Sequence, residues 1–311
     1  MALEVFRFQY NNNPVYNAFV NALGTNVNQI NSLTDIPFMP ISFFKTHDVR
    51  TTSFKEQTVF ESSGTTKSNT SKHYIKDLDI YTESFLKGFE LFYGKPGDYC
   101  IIGLLPSYLE RENSSLVVMV DKLIKESKHA KSGFYLHNQE QLAHTLASLE
   151  KQKQQTLLIG VTFALLDFAE KYPAHLQYTT IMETGGMKGR RAELTRQEMH
   201  TFLQEAFSIQ HIHSEYGMTE LLSQAYSKEK GIYQCPPWMK ILIRDEEDPL
   251  HTYSYVAHKV TGAINVIDLA NIFSCSFIAT EDAGTVYANG HFEILGRIDN
   301  SDIRGCSLMT V

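Results

Sequence analysis

A cluster of hydroxyl-bearing residues between Phe60 and Ser68 is the stretch of this sequence best suited to binding phosphate. Glycine permits a tight turn and a close approach of the backbone to a ligand, and hydroxyls with exposed N–H groups form a concavity that suits phosphate oxygens. Taken alone, such a cluster is more often an ordinary loop, so both interpretations stay open here. Its central residues are Ser62, Ser63, Gly64, Thr65 and Thr66.

This cluster does not match the P-loop of nucleoside triphosphatases. That motif needs a glycine directly before its lysine and a second glycine five residues earlier. Lys67 and Ser68 are present, but Gly64 is not adjacent to the lysine. Any phosphate binding here therefore uses a loop of another kind.

A glycine pair follows a predicted strand in the segment Met182–Lys188. Ligands of open α/β sheets bind at the carboxyl ends of strands. Gly185 and Gly186 would let a flat ring lie against the backbone, whereas a plain strand-to-helix turn is an equal alternative.

The segment Ser214–Glu220 also follows a predicted strand, and we expect it to open a helix. Thr219 offers a hydroxyl to phosphate and Glu220 offers a carboxylate to Mg²⁺, which typically takes one or two carboxylates with phosphate oxygens. The alternative is that Glu220 is a first-turn acid stabilised by the helix dipole.

Two further polar motifs occur near the C-terminal end. Asp282, expected at a strand end, could accept hydrogen bonds from both hydroxyls of a ribose, although Asp before Gly is more commonly a polar turn. Arg297 could reach a ribose or a phosphate, which a guanidinium suits well, or it could form a surface ion pair.

The elements that must position these motifs alternate between strands and helices up to about residue 225. Thr195 and Glu198 match a capping box and predict a helix through Phe207. The alternation predicts a parallel α/β sheet with right-handed crossovers. The predicted strands are Tyr99–Leu105, Thr156–Val161, Tyr178–Met182 and Ile209–His213, and the other predicted helices cover 76–93, Ser114–Lys125 and the residues after Val161 through Phe168.

After Gln224 the helical patterns give way to strands separated by Gly, Pro and Asp turns. We therefore predict two parts: residues 1–225 as an α/β part that binds nucleotide, and residues 226–311 as a β-rich subdomain that ends in a short tail. The strands predicted there are Trp238–Arg244, Ala263–Asp268, Ser276–Thr280 and Phe292–Leu295.

The composition is that of an ordinary globular protein. Of 311 residues, 43% are apolar and 20% are charged, with a net charge of -7. This acidic balance argues against nonspecific binding of nucleic acid, which needs a basic face. We find no apolar run long enough to span a bilayer and no secretory pattern at the N-terminus, so we expect a cytoplasmic protein without a membrane span.

No motif is specific alone, but their order and spacing resemble the adenylate-forming superfamily of acyl-CoA synthetases, nonribosomal adenylation domains and luciferases. More narrowly, the chain is similar to the acyl-protein synthetase (LuxE-type) family, over roughly residues 55 to 308. The segments that carry the narrower resemblance are Leu105–Arg111, Glu183–Gly189, Ser214–Gln224 and Asp302–Cys306.

This resemblance implies a fold and a reaction. The fold would have parallel-sheet layers, flanking helices and a β-rich subdomain, like the large N-terminal domain of adenylate-forming enzymes without their small C-terminal domain. The reaction would use ATP and Mg²⁺ to activate a fatty acid or another carboxylate as an acyl-adenylate. The acyl group would then pass to an enzyme cysteine and on to a partner, such as an acyl reductase or another acyl-accepting protein.

The resemblance also implies roles for individual residues. Catalysis would involve Cys306, Thr219 and Glu220, with Glu220 also holding Mg²⁺. Asp282 and Arg297 would hold the ribose. The remaining nucleotide contacts would be Ser62, Ser63, Gly64, Thr65 and Thr66 on the phosphates and Gly185, Gly186, Tyr216 and Gly217 near the adenine.

Two features depart from the wider superfamily. No lysine follows Lys259, so the C-terminal lysine that usually bridges carboxylate and phosphate has no counterpart in the tail; Lys67 or Lys188 could supply some positive charge, although a surface role is commoner for both. Cys306, near the end, fits the thiol of the narrower family, since thiolates attack activated acyl groups.

The other cysteines do not indicate a metal or redox site. The sequence contains no Cys-x-x-Cys pair, and in a reducing compartment the thiols should be free. The three are Cys100, Cys235 and Cys275.

Two alternatives to an acyl-protein synthetase remain open from the sequence. One is a carboxylate–CoA ligase of the phenylacetate type, which should be indifferent to Cys306. The other is a nucleotide-binding partner protein without catalysis, although such a protein has no need to keep Thr219, Glu220, Asp282 and Arg297 together.

Overall fold

The structure is a computed structural model that describes residues 1–62, 70–105, 113–185, 194–253 and 258–298. Six of the residues selected above lie outside these ranges: Ser63, Gly64, Thr65, Thr66, Gly186 and Cys306. Lys67 and Lys188 also lie outside them.

Helices and strands are numbered here in chain order within the described ranges. The helices α1 to α8 are Ala2–Asn12, Pro14–Ala22, Phe43–Thr46, Leu78–Tyr93, Ser115–Ser127, Gln139–Lys151, Thr162–Lys171 and Arg196–Phe207. The strands β1 to β14 are Met39–Pro40, Thr58–Glu61, Lys72–Ile75, Cys100–Leu104, Gly133–Phe134, Thr156–Val161, Thr179–Thr184, His213–Tyr216, Ala225–Ser227, Ile232–Gln234, Met239–Arg244, Lys259–Asp268, Phe277–Tyr287 and Phe292–Arg297.

The chain forms two compact units that alternate along the sequence. Unit 1 contains Met1–Tyr81, Thr219–Ser223 and Gln234–Val311, and unit 2 contains Thr82–Met218 and Gln224–Tyr233. The domain boundary that we expect after residue 225 remains a prediction.

Unit 2 contains the predicted parallel α/β sheet, which is confirmed. Its strand order is β5-β4-β6-β7-β8, all parallel, with β9 antiparallel to β8. In register, Leu158 of β6 lies between Ile102 of β4 and Ile181 of β7. These strands are apolar runs because helices such as α7 and α8 cover the sheet, with Leu165 and Phe207 in the same core.

Unit 1 is built on an antiparallel sheet of β11, β12, β13 and β14, with β1 running parallel to β13. Helices α1 and α2 pack their aromatic side chains on it: the ring centroids of Phe6 and Tyr16 lie 6.2 Å and 6.1 Å from that of Phe277. Strands β2 and β3 form a separate antiparallel pair in this unit.

The capping box predicted at Thr195 and Glu198 is present at the start of α8. Three local expectations are wrong. The strand expected at Ile209–His213 lies at His213–Tyr216, because Ser214 and Glu215 pair with β7 and are buried in the sheet rather than exposed after it.

The second correction concerns the residues after β8, where the sequence predicts a helix. Thr219 and Glu220 form a turn instead, and the next element is β9. The third concerns Asp282, which lies inside β13 rather than at a strand end or in a turn. Helix α6 was not predicted.

Within the ranges that the structure describes, every helix is too short or too polar to cross a membrane.

Close packing at Gly160 generates a stability prediction. A Cβ there would lie 2.8 Å from the Leu165 side chain and 3.1 Å from that of Leu104, so Gly160→Ala should lower stability by about 1–3 kcal/mol through overpacking. We expect the thermal unfolding midpoint to fall by at least about 2 °C.

The matched control is Gly88→Ala in α4, where an added Cβ meets nothing within 4 Å. Alanine has the higher helix propensity by up to about 1 kcal/mol, so this variant should unfold at or above the wild-type midpoint. A Gly160→Ala protein as stable as the control would contradict the packing described.

Candidate functional site

The segment Thr219–Ser223 is held in unit 1 by one buried carboxylate. Asp268, at the end of β12, accepts hydrogen bonds from the backbone N–H groups of Leu222 at 2.7 Å and Ser223 at 3.1 Å, and from the Ser223 hydroxyl at 2.6 Å. Burial raises the pKa of Asp268, and these hydrogen bonds oppose the rise. Because these bonds tie Leu222 and Ser223 to the end of β12, contacts with a distant residue set the turn here, and local helix propensity does not.

Two more side chains fix the carbonyl groups of this turn. The Asn271 amide donates to the Glu220 carbonyl oxygen at 2.7 Å, and His73 Nδ1 lies 2.8 Å from the Thr219 carbonyl oxygen. Burial lowers the pKa of His73 to about 4, although the bond to Thr219 opposes that shift. The imidazole is therefore neutral near pH 7, and its Nδ1–H donates to Thr219.

The Glu220 carboxyl group is buried, with a residue exposure of 6%. Burial raises its pKa, while hydrogen bonding from the Ser71 side chain and the positive charges of Lys45 and Arg297 act in the opposite direction. A nearby cation would stabilise the ionised form of a carboxylate in these surroundings.

The chemistry of these side chains fits Mg²⁺ only as part of a nucleotide complex. Among the described residues, no group of three or more His, Cys, Asp or Glu side chains could hold a metal ion. One carboxylate is enough when phosphate oxygens and water complete the octahedral shell. Glu220 is thus suited to a Mg²⁺ ion that arrives with ATP.

Ser62 lies at the point where β2 leaves for the predicted phosphate loop. Its hydroxyl oxygen accepts a hydrogen bond from the Ser71 N–H at 2.9 Å, and its own N–H donates to the Ser71 carbonyl at 3.1 Å. These bonds join the two chain segments at the base of the β2–β3 pair. The hydroxyl hydrogen of Ser62 is still able to donate to a phosphate oxygen.

Asp282 and Arg297 are cross-strand partners in β13 and β14. The Arg297 guanidinium binds Glu281 Oε2 at 2.7 Å, with 67% of the arginine side chain exposed. The structure therefore places both predicted ribose contacts on one pair of strands, with Arg297 in a surface ion pair. Their contact with ribose stays a prediction.

Sequence reasoning did not find Arg244, which lies beside Asp282. Its Nη1 donates to the Ile264 carbonyl at 2.6 Å and its Nη2 to the Thr280 carbonyl at 2.6 Å. Burial lowers the pKa of Arg244 and the charge of Asp282 opposes that shift. The guanidinium thus provides a fixed positive charge next to Asp282. The sequence around Arg244 does not mark it as a site residue, because β11 has the ordinary alternation of buried and less buried residues.

The predicted adenine contacts that the structure describes belong to unit 2. Gly185 follows β7 with φ of +69°, a conformation that favours glycine, and its carbonyl accepts a hydrogen bond from the Thr162 hydroxyl at 2.6 Å. Tyr216 ends β8 with 9% exposure, and its ring meets Tyr233 edge-on at a centroid distance of 6.0 Å.

Gly217 is required by a close approach. A Cβ at this position would lie 2.4 Å from Glu215 Oε1, below any real contact distance. The carboxyl group of Glu215 is buried and bonded to the Thr184 hydroxyl, so it has no easy route away. Residue 217 must therefore lack a side chain while Glu215 keeps this position.

Two acids, Glu183 and Glu215, are buried at the carboxyl ends of β7 and β8. The pKa of Glu215 rises from its ordinary value of 4.5 to about 7, mainly by burial, with the nearby Glu183 charge adding to the shift and the Thr184 hydrogen bond opposing it. His200 Nε2 lies 3.8 Å from Glu183 Oε1. The sequence offered a signal for both acids, because each one lies two residues before a glycine that follows a strand, at Gly185 or Gly217.

The comparisons with known proteins agree on family and fold. A family model described as "Acyl-protein synthetase, LuxE" matches residues 1–310. None of the curated proteins compared with the chain matches its sequence significantly.

Three solved structures illustrate the shared fold. ATP-bound MatB from Rhodopseudomonas palustris matches with a TM-score of 0.57 and 14% sequence identity, over 77% of this chain and 47% of that one. 2-Hydroxyisobutyryl-CoA ligase in complex with 2-HIB-AMP matches with a TM-score of 0.68 and 13% identity, over 96% of this chain and 66% of that one. MenE from Bacillus subtilis with ATP and magnesium matches with a TM-score of 0.54 and 15% identity, over 79% of this chain and 51% of that one. The chain thus spans 47% to 66% of the length of these proteins. The predicted resemblance to the large domain of adenylate-forming enzymes is confirmed at the level of the fold.

Glu215 generates a prediction about pH. A pKa of about 7 in the folded state against 4.5 in an unfolded chain means that the folded state holds an extra proton between these values. Stability from this group is complete below pH 4.5 and is lost as pH rises through 7. Glu215→Gln should remove this loss, so that between pH 5 and 8 the free energy of unfolding falls less than in the wild type by up to about 3 kcal/mol.

Urea denaturation at several pH values measures this difference. Glu205→Gln, on the exposed side of α8, is the matched control and should follow the wild-type curve. Parallel pH dependence of the wild type and Glu215→Gln would refute the proton assignment.

Proposed function

Because the chain belongs to the acyl-protein synthetase (LuxE) family, whose model matches residues 1–310, we propose that it activates a carboxylic acid with ATP. The products of this step are an acyl-adenylate and pyrophosphate. The observation that carries the proposal is the buried carboxylate of Glu220, on a turn fixed by Asp268, Asn271 and His73. A single oriented carboxylate of this kind suits the metal–phosphate part of ATP.

In the proposed step, a carboxylate oxygen of the acid attacks the α-phosphorus of ATP. A new P–O bond forms while the bond to the β-phosphate breaks, and pyrophosphate leaves with the bonding pair. Bound Mg²⁺ would neutralise charge on the phosphates. The protein would contribute orientation and electrostatic stabilisation. Glu220 would hold the ion, and the Thr219 hydroxyl would donate to a phosphate oxygen, together with Ser62, Ser63, Gly64, Thr65 and Thr66.

The proposal assigns the nucleoside contacts to the other predicted residues. The left-handed backbone at Gly185, where an added Cβ would meet nothing within 4 Å, leaves room for a flat ring. Tyr216 would pack on that ring, and Gly186 and Gly217 complete this set. Asp282 would accept hydrogen bonds from the ribose hydroxyls. Arg297 would exchange its exposed partner Glu281 for ribose or phosphate, since such surface pairs are weak.

The second step of the proposal transfers the acyl group to Cys306. The thiolate attacks the acyl carbonyl carbon, a thioester forms, and AMP leaves with its phosphate oxygen. The thioester would then pass to a partner protein, such as an acyl reductase. Support comes from the family description and the tail cysteine, and a fatty acid is the proposed substrate. A thiol intermediate suits a reducing compartment, so the proposal places the reaction in the cytoplasm.

A carboxylate–CoA ligase is the second candidate. Two of the similar structures are named as a CoA ligase and a CoA synthetase, and they share the fold with this chain at 13% and 15% identity. In that case the acyl group would pass from adenylate to coenzyme A without a protein thioester.

Glu220→Gln tests the first step. Removing the charge that holds Mg²⁺ should lower ATP–pyrophosphate exchange by about 10²–10³-fold, measured with a panel of fatty and aromatic acids. Thermal stability should not fall, because burial disfavours the ionised carboxylate.

The matched control is Glu247→Gln, an exposed acid of unit 1, which should exchange like the wild type. Full exchange in Glu220→Gln would refute its role. A wild type that binds ATP but exchanges pyrophosphate with no acid would instead support a nucleotide-binding protein without catalysis.

Cys306→Ser tests the second step. We expect no labelled acyl-enzyme, while pyrophosphate exchange stays within about threefold of the wild type because adenylation precedes thiol attack. The assay is run with and without coenzyme A, followed by gel analysis of labelled protein. Loss of both activities, or of neither, would reject this assignment, and CoA-dependent turnover in the variant would favour the ligase.

A further inference from the structure

His73 is a buried imidazole that the proposed chemistry does not use. It is 1% exposed, its Nδ1–H donates to the Thr219 carbonyl at 2.8 Å, and its Nε2 is buried without a hydrogen-bond partner. An unsatisfied buried acceptor costs free energy. An apolar side chain of similar size would avoid that cost, but it would leave the Thr219 carbonyl without its N–H donor. The bond to Thr219 is therefore what a histidine adds at this position.

The position of His73 on β3 relates it to the residues proposed to bind phosphate and metal. Ser71 directly precedes β3, two residues before His73. The Ser71 side chain lies close enough to the Glu220 carboxylate to lower its pKa, and the Ser71 backbone pairs with Ser62 next to the end of β2. Ser71 and β3 thus lie against the Glu220 carboxylate and the Thr219 carbonyl, and they follow the predicted phosphate loop in the chain.

The turn is also held from the β12 side. Asn271 donates to the Glu220 carbonyl, and Asp268 accepts the N–H groups of Leu222 and Ser223. These bonds fix the part of the segment from Glu220 onward. The peptide carbonyl of Thr219, which precedes Glu220, depends on His73.

We infer that His73 is a positioning residue for the nucleotide–metal site. Its Nδ1–H bond to Thr219 fixes the peptide plane between Thr219 and Glu220, and that plane sets where the Thr219 hydroxyl and the Glu220 carboxylate point. The inference rests on the proposed function of Thr219 and Glu220. It assigns to β3 the task of holding the phosphate-binding and Mg²⁺-binding groups in one arrangement.

A purely structural role for His73 makes a different prediction. The imidazole meets the Phe44 ring edge-on at 5.6 Å, so its surroundings accept an aromatic ring. If His73 only fills this space, a phenylalanine should preserve function. If it positions the turn, a phenylalanine should change how the protein uses Mg²⁺.

The test compares His73→Phe, His73→Asn and His73→Gln in the full chain. Asparagine can place an amide N–H near the Nδ1 position, whereas glutamine reaches toward the Nε2 position. Calorimetry with ATP, in excess Mg²⁺ or in EDTA, measures nucleotide binding apart from activity. Pyrophosphate exchange over a range of Mg²⁺ concentrations measures the functional consequence.

We expect His73→Phe and His73→Gln to weaken ATP binding in Mg²⁺ by about 10-fold, the effect of one hydrogen bond, with little change in EDTA. The Mg²⁺ concentration for half-maximal exchange should rise by a similar factor. His73→Asn should stay within about threefold of the wild type. Tyr74→Phe, which removes the bond from the same strand to Asp48, is the matched control and should bind and exchange normally.

The inference is overturned if His73→Phe keeps the wild-type response to Mg²⁺, or if ATP binding weakens equally in Mg²⁺ and EDTA. Should His73→Phe fail to fold, equal behaviour of His73→Asn and His73→Gln overturns it. A wild type that binds ATP with Mg²⁺ but exchanges no pyrophosphate would remove the proposed reaction, while the binding comparison would still decide the role of His73.

Discussion

The candidate site depends on the buried carboxylate of Asp268. By accepting hydrogen bonds from the N–H groups of Leu222 and Ser223 and from the Ser223 hydroxyl, it ties the turn after β8 to the end of β12. A carboxylate that is fully buried carries a large desolvation cost, and several strong hydrogen bonds are what make that cost acceptable. Without this anchor, Glu220 would have no fixed direction, and the bonds from Asn271 and His73 would have no defined turn to hold.

In unit 2, polar side chains are buried at the carboxyl ends of the parallel strands. Such a sheet buries both faces, so the polar residues that leave its carboxyl edge must find partners inside the protein. Glu183, Thr184 and Glu215 do so with one another and with Thr162 and His200. The glycine-containing segments predicted to meet adenine therefore begin next to side chains that are held by these contacts. Fixed positions of this kind reduce the ordering cost when a ligand binds.

Much of the fold could be predicted from the sequence because its apolar patterning is strong. Strand β6 matches its prediction at both ends, since every residue from Thr156 to Gly160 is buried. The helix after Glu220 was predicted wrongly because local propensity contains no information about a carboxylate 48 positions away, at Asp268. The same limit applies to Arg244 and His73, whose partners are distant in sequence. The order of the motifs indicated the family, whereas the contacts that orient them needed the structure.

The contact between Glu215 and Gly217 has a consequence for sequence variation among related chains. An added methyl group at position 217 would overlap the Glu215 carboxylate, and that carboxylate is itself held by Thr184. Substitutions at positions 215 and 217 are therefore not independent of each other. A relative with alanine at 217 should carry a shorter side chain at 215, and its position 184 should then be free to lose the hydroxyl.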